Sequence, residues 1–151
     1  MTDYSGFLKY EYEVERYDFT RAGEASSAIK ARLKKLGLDN SLVRRIAIAA
    51  YESEINIIIH SFGGSLTLYI STNKIIIVAK DSGPGIDDIE LAMKEGYTTA
   101  SDKAREYGFG AGMGLPNIKR FCDHLDIDSS KNQATTIVMT FVITNVDGEK
   151  K

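Results

Sequence analysis

The stretch SLVRRIAIAAYESEINIIIH, residues 41–60, constrains the fold of this chain more than any other segment. Its apolar side chains recur at helical spacing, and across residues 55–59 the predicted helix is apolar on nearly all sides. A helix of this kind must be buried against other elements of the fold. Either Asp39 or Asn40 can cap its start, and we expect it to end at the glycine pair 63–64.

Strands and further helices are predicted on both sides of this helix. Residues 19–36 also show helical spacing, with Asp18 as the candidate cap and Gly37 as the stop. The other predicted elements are an edge strand at 10–16, a hairpin of strands 65–72 and 74–81 with its turn at Asn73, a glycine-rich segment from Gly83 to Gly114 with a short helix at 86–96, a helix at 113–125 with Pro116 in its first turn, and a closing antiparallel strand pair at 125–130 and 134–144.

This order of elements predicts an α+β fold. We expect a two-layer sandwich in which the helices lie on one face of a mainly antiparallel, mixed sheet. A chain of 151 residues is enough for one domain with a substantial core, so we expect a single domain over 1–151. The polar segment 145–151 is expected to be a frayed tail.

Composition excludes several classes of protein. The net charge is −2, so no global basic field attracts nucleic acid. No apolar run approaches the roughly 18 residues that a membrane-spanning helix needs. The N-terminal residues lack the apolar core of a signal peptide, and the single cysteine, Cys122, cannot form an internal disulfide. We therefore expect a protein of the reducing cytoplasm.

A polar stripe interrupts the apolar helix. Glu52, Asn56 and His60 are spaced four residues apart, so they share one helix face. Such groups are costly to bury unless they are paired or face a cavity, where they could hold a metal ion. The alternatives are a stripe that faces solvent and a satisfied network in the core, and a histidine of this kind is more often structural.

The sequence DSGPGI, residues 81–86, has more turn-forming residues than a simple turn requires. Asp81 ends a hydrophobic strand, where an isolated carboxylate is unfavourable unless a donor such as the exocyclic amine of a purine pairs with it. Gly83 and Gly85 would keep side chains away from the base.

The sequence GFGAGMGL, residues 108–115, places glycines at alternate positions just before a helix. Glycine lets the backbone approach a ligand closely, and a helix N-terminus offers free N–H groups to an anion such as phosphate. A flexible loop before a helix is the alternative. The glycine spacing does not fit a P-loop or a dinucleotide-binding motif, and the protein-kinase motifs are absent.

Taken together, these motifs resemble those of the GHKL superfamily, the Bergerat-fold ATPases and kinases. ESEINIIIH resembles the N box of that superfamily, DSGPGI its D-x-G-x-G box, GFGAGMGL its second glycine box and ATTIV its late-strand threonine motif. The resemblance spans roughly residues 10–143. It implies binding of ATP with Mg²⁺, with Asn56 as the Mg²⁺ ligand and Glu52 as the catalytic base. The nucleotide-binding residues that it implies are Asn56, Asp81, Gly83, Gly85, Ile86, Gly110, Gly112, Met113, Gly114, Leu115 and Thr136.

Within that superfamily, the short chain is similar to small bacterial serine/threonine kinases of partner-switching systems, which include anti-sigma factor kinases and the stressosome switch kinase. The resemblance implies phosphorylation of a STAS-domain antagonist, a homodimer, and in some members binding of a sigma factor. From the charge and the lack of a long apolar run we expect no direct nucleic acid partner and no membrane partner. Two alternatives are an anti-sigma factor that acts mainly by nucleotide-dependent binding of a sigma factor, and a stand-alone ATPase module. Lys103 and Arg105 are candidates for contact with the γ-phosphate or the partner, or are ordinary solvated charges.

Glu54 is a second acid within the N box. It lies on the opposite side of the helix from Glu52. We therefore expect it to have a structural or partner-binding role and no part in catalysis.

Overall fold

The computed structural model describes residues 4–83, 114–129 and 133–144, together with Met93. Its strands form one five-stranded sheet in the order β1-β2-β3-β5-β4. All four strand pairings are antiparallel, so the sheet formed by the described residues is not mixed. The strands are β1 (Leu8–Val14), β2 (Gly64–Ile70), β3 (Lys74–Asp81), β4 (His124–Asp128) and β5 (Thr136–Val142).

The helices α1 (Glu24–Lys35), α2 (Asn40–His60) and α3 (Gly114–Phe121) pack on one face of this sheet. The core between the two layers is one cluster of buried apolar side chains. Alternate residues of the central strand β3 enter it, as expected for a sheet that is covered on one face. Fully buried members include Ile29, Leu33, Ile46, Leu66, Leu68, Ile75, Ile77, Ile118, Met139 and Phe141. The predicted α+β sandwich is confirmed.

The long helix α2 starts and ends close to where the sequence predicts. Asp39 is the cap, since its side chain accepts a hydrogen bond from the backbone N–H of Leu42 at 3.1 Å. The helix ends at His60, after which Gly63 adopts a φ of +105° that favours glycine. This turn leads directly into β2.

The predicted start of the first helix at Asp18 is wrong. Asp18 makes no side-chain cap hydrogen bond and instead binds Arg21, while residues 19–21 form only a short 3-10 helix. The continuous helix begins at Glu24, because its first backbone N–H groups are bonded to Glu54 of α2. Glu54 is only 2% exposed. Its predicted structural role is confirmed.

The end of β3 and the start of β5 are joined at the edge of the sheet that carries the sequence motifs. The backbone N–H of Asp81 donates to the carbonyl oxygen of Thr135 at 3.0 Å. Asp81, the first residue of the DSGPGI motif, therefore lies beside Thr135 of the ATTIV motif, although the two residues are 54 positions apart in the sequence.

Some expectations fall on residues that the structure does not describe, namely the short helix at 86–96, of which only Met93 is described, and the tail at 145–151. Among the described helices, none combines the length and the apolar composition needed to cross a membrane.

Candidate active site

Helix α2 presents three neighbouring residues to three different elements. Ser53 is buried towards the sheet, where its Oγ lies 3.2 Å from Sδ of Met139. Glu54 points towards α1, and Glu52 points towards α3. The 3.6-residue period of the helix thus separates the carboxylate predicted to act in catalysis from the one that holds the fold.

Two residues of the predicted stripe, Glu52 and Asn56, lie next to α3, and His60 continues the same face of α2. Glu52, Asn56 and His60 are all half-buried, while the isoleucines between them are buried. The stripe is therefore neither fully solvated nor enclosed in the core. Burial lowers the pKa of the His60 imidazole below its usual range, which favours the neutral ring.

Asp81 has one oxygen engaged by the backbone. Its Oδ1 accepts hydrogen bonds from the N–H of Gly83 at 2.8 Å and from the N–H of Thr135 at 3.0 Å. Within the described residues, no hydrogen bond to Oδ2 is found. The two backbone N–H groups thus fix the orientation of the carboxylate.

Gly83 is suited to its position by its backbone conformation. Its φ is +109°, a region that side chains other than glycine rarely adopt. A Cβ there would also lie 3.4 Å from the carbonyl oxygen of Gln133. The glycine therefore permits the tight turn in which its own N–H reaches Asp81.

The start of α3 lies against Asn56. A Cβ on Gly114 would come within 2.8 Å of Asn56 Oδ1, so a side chain at this position would have to displace the amide. Leu115, the next residue, is buried and anchors the first turn of the helix. The structure thus brings together Asn56 and the end of the second glycine motif.

These features match a known family over most of the chain. The family model for the histidine kinase-like ATPase domain matches residues 17–141. The chain belongs to this family. The resemblance to the GHKL superfamily is thereby confirmed.

Curated relatives of this histidine kinase-like ATPase domain carry two kinds of name. The anti-sigma F factor of Thermoanaerobacter sp. (strain X514) is 38% identical over 100 residues, which cover 63% of this chain and 66% of that protein. The anti-sigma F factor of Clostridium acetobutylicum is 32% identical over 87% of this chain and 89% of its own length. The serine/threonine-protein kinase RsbT of Bacillus subtilis is 31% identical over 69% of this chain and 75% of its own length. The match thus spans slightly less than two thirds of the Thermoanaerobacter protein and more of the other two.

Several predicted site residues of this ATPase domain lie outside the described residues. They are Gly85, Ile86, Gly110, Gly112 and Met113, with the lid candidates Lys103 and Arg105. Their roles stay predictions, as do those of the residues whose positions are described.

The structure places Thr135 beside Asp81, immediately before β5, and by alternation Thr135 lies on the same side as the buried residues Ile137 and Met139. The Thr135 side chain is buried, and its Oγ1 lies 2.6 Å from Oγ of Ser129. Thr136, which the sequence predicts as the adenine contact, points to the opposite face of the sheet. Both threonines fit the motif ATTIV, so only the strand pairing could select between them.

Asn117 of α3, which no sequence motif singled out, has its Nδ2 3.0 Å from Oε2 of Glu52. Its position one turn after the glycine motif was the available signal. However, an asparagine on a predicted helix is usually solvated, so the contact became visible only with the packing of α3 on α2.

Asn56 is a suitable ligand for Mg²⁺. An amide oxygen is a hard ligand, and Mg²⁺ is commonly held by one or two protein groups together with substrate phosphates and water. Among the described residues, no side chain hydrogen bonds to the Asn56 amide, and the missing Cβ of Gly114 leaves space at its oxygen. Those residues contain no cluster of three or more His, Cys, Asp or Glu that could hold a metal ion.

An open groove of about 600 Å³ lies next to Asp81. Its lining includes Glu13, Arg16, Phe62 and Lys80, but neither Glu52 nor Asn56. Since Glu13 and Lys80 belong to the sheet face opposite the helices, this groove is separate from the polar stripe of α2.

Proposed function

We propose that this chain is an ATP-dependent serine/threonine protein kinase of a bacterial partner-switching system, and that it phosphorylates a STAS-domain regulator. The observation that carries the proposal is the placement of Glu52 and Asn56, one helical turn apart on α2, against the start of α3. The proposed base and the proposed metal ligand thus lie next to the end of the glycine motif. The names of the relatives support the same activity class.

Each residue has a role in the proposed reaction. Oδ2 of Asp81 accepts from the adenine amine, with Thr135 as a neighbouring contact. Asn56 holds Mg²⁺, which would neutralise charge on the phosphates when bound. The backbone at Gly114 and Leu115, with the glycines before them, binds the phosphates.

Glu52 accepts the proton of the partner's serine or threonine hydroxyl. The hydroxyl oxygen then bonds to the γ-phosphorus as the bond to the bridging oxygen of ADP breaks. Because such transfer depends mainly on positioning and electrostatics, the fixed geometry of α2 and α3 is the main contribution of the protein.

A second candidate is an anti-sigma factor that binds a sigma factor when nucleotide is bound, with phosphorylation secondary. The name of the Thermoanaerobacter and Clostridium relatives favours it. The half-buried carboxylate of Glu52 beside the nucleotide site favours the kinase, because a module that only senses ATP does not need a base.

Both candidates place the chain in the cytoplasm, where ATP is available, and the family resemblance implies a homodimer. Light scattering of the purified chain with and without Mg·ATP tests the dimer. A mass of one protomer under both conditions contradicts it.

The test of function combines calorimetry with a transfer assay. Binding of Mg·ATP is measured for the wild type, Asn56→Ala and Glu52→Ala, with the exposed Asn40→Ala and Glu24→Ala as matched controls. Transfer from γ-labelled ATP is then measured against purified STAS-domain proteins from the genome that encodes this chain. We expect Asn56→Ala to lose Mg²⁺-dependent binding and Glu52→Ala to bind normally without transfer.

Other outcomes are equally clear. Nucleotide binding without transfer to any STAS protein, together with nucleotide-dependent capture of a purified sigma factor, favours the second candidate. Hydrolysis of ATP without either partner indicates a stand-alone ATPase module. No binding of Mg·ATP contradicts all three.

A further inference from the structure

Asn117 makes a hydrogen bond to the proposed catalytic base from a different helix. Its Nδ2 donates to Oε2 of Glu52 at 3.0 Å, although 65 residues separate the two in the sequence. The carboxylate can only accept, so the amide must present its nitrogen to it. Both residues are half-buried, and a hydrogen bond to a charged acceptor is stronger there than in water.

The register between the two helices fixes this contact. Helices α2 and α3 run antiparallel, with Gly114 against Asn56 at one end and Asn117 against Glu52 one turn further along. At the other end, Nη1 of Arg45 donates to the carbonyl oxygen of Phe121 at 3.1 Å. The close approach of Gly114 to Asn56 and the hydrogen bond from Arg45 therefore accompany the contact of Asn117 along the same helix pair.

The anchoring of α3 is apolar and independent of the hydrogen bond. Leu115 and Ile118 are buried, and Ile118 is fully enclosed. Asn117 lies between them in the sequence and points to α2 instead. Loss of its amide would therefore remove one polar contact without removing the packing that holds the helix.

A glutamate side chain has three rotatable bonds, so an unrestrained carboxylate samples many orientations. A hydrogen bond to Oε2 restricts these orientations and leaves Oε1 available to accept a proton. Misplacement of a catalytic group by about 1 Å can cost on the order of 100-fold in rate. The hydrogen bond from Asn117 therefore restrains a carboxylate whose orientation would affect the rate of the proposed transfer.

We propose that Asn117 is a positioning residue for Glu52, and that it links the start of α3 to the orientation of the base. The inference rests on the proposed kinase function. Gly114 and Asn117 lie on the same face of α3, so phosphates bound at the start of this helix also set the position of the amide that holds Glu52.

The test uses Asn117→Leu, which keeps the size of the side chain but removes the donor, and Asn117→Asp, which places a second carboxylate against Glu52. We expect kcat for transfer to fall about 10- to 100-fold in Asn117→Leu and further in Asn117→Asp. KM for ATP and the affinity for Mg·ATP should stay within about twofold of the wild type. Asn40→Leu, at an exposed asparagine outside the site, is the matched control and should leave kcat unchanged.

A double-mutant comparison separates positioning from a structural effect. If Asn117 acts through Glu52, Asn117→Leu should cause a smaller loss in a Glu52→Asp background, whose shorter side chain retains a carboxylate but reaches Asn117 less well. A full additional loss there, or a change in KM for ATP with kcat unchanged, overturns the proposed role. Thermal melting of each variant shows whether it is still folded. If one of Asn117→Leu and Asn117→Asp has lost its fold, the comparison uses the other.

Failure of this inference differs from failure of the proposed function. A wild type that transfers phosphate at the same rate as both Asn117 variants overturns the role of Asn117 alone. A wild type that binds Mg·ATP but transfers phosphate to no STAS-domain protein overturns the kinase function and the positioning role with it.

Discussion

The backbone N–H of Ser26 donates to Oε1 of Glu54 at 3.0 Å, although the two residues are 28 positions apart in the sequence. Oε2 of the same carboxylate accepts from Gly23 at 3.0 Å and from Ala25 at 3.2 Å. Helix α1 has no side-chain cap of its own at Gly23. A buried acid of α2 therefore satisfies the free N–H groups at the start of α1 and ties the two helices together.

Removal of this carboxylate should destabilise the fold strongly. Glu54→Ala leaves three N–H groups without an acceptor, two of them buried, and we expect the free energy of unfolding to fall by about 3 kcal/mol. Urea denaturation followed by circular dichroism measures the change. Glu24→Ala, at an exposed acid in the first turn of α1, is the control and should cost about 0.5 kcal/mol. Equal losses in the two variants contradict the capping role.

Replacement of Asp81 by asparagine should change base recognition and preserve the local fold. Asn retains an oxygen for the N–H groups of Gly83 and Thr135, but its Nδ2 cannot accept from the adenine amine. We expect ATP binding to weaken by about 2 kcal/mol, roughly 30-fold. ITP carries an oxygen in place of that amine, so it should lose less affinity than ATP or gain some.

Calorimetry measures the affinities of the wild type and of Asp81→Asn for ATP and for ITP. Asp126→Asn, an exposed aspartate on β4, is the matched control and should bind ATP as the wild type does. An equal loss for ATP and ITP in Asp81→Asn would point to a distorted loop and would contradict a direct contact with the base.

A methyl group at Gly114 should impair metal-dependent binding without a loss of stability. The Cβ of Gly114→Ala would lie 2.8 Å from Asn56 Oδ1 and would displace that amide. Alanine is a better helix former than glycine, so Tm should stay equal or rise. We expect Mg·ATP affinity to fall about tenfold.

The double variant Gly114→Ala with Asn56→Ala tests whether the methyl group acts through the Asn56 amide. If the methyl group acts by displacing the amide, the double variant should bind Mg·ATP no worse than Asn56→Ala alone. Additive losses would show that Gly114 affects binding by another route.

His60 should make the fold less stable in mild acid. Burial lowers the pKa of the imidazole in the folded state below the ordinary value of 6.5. As the pH falls through that value, the unfolded chain takes up a proton that the folded chain does not, so stability is lost. The free energy of unfolding should therefore decrease less on acidification in His60→Gln than in the wild type. Parallel pH curves from urea titrations would be the contrary result.

The sequence by itself determined the class of the fold and the motifs of the site. The period of apolar residues in α2, the cap at Asp39 and the hairpin around Asn73 are local signals, and each has the predicted structure. The polar stripe and the glycine motifs are likewise local. They identified the superfamily because their order along the chain is specific.

Only the tertiary structure decided which distant groups meet. Asp18 is of a residue type that often caps helices. Helix α1 nevertheless starts at Glu24, because Glu54 supplies the acceptors from α2. The pairing of β3 with β5 brings the backbone of Thr135 to Asp81, and the packing of α3 on α2 brings Asn117 to Glu52. Hydrogen bonds between elements depend on the register of strands and helices and on the face that each residue occupies. Both are set when the whole core packs, so a local pattern of residues does not predict them.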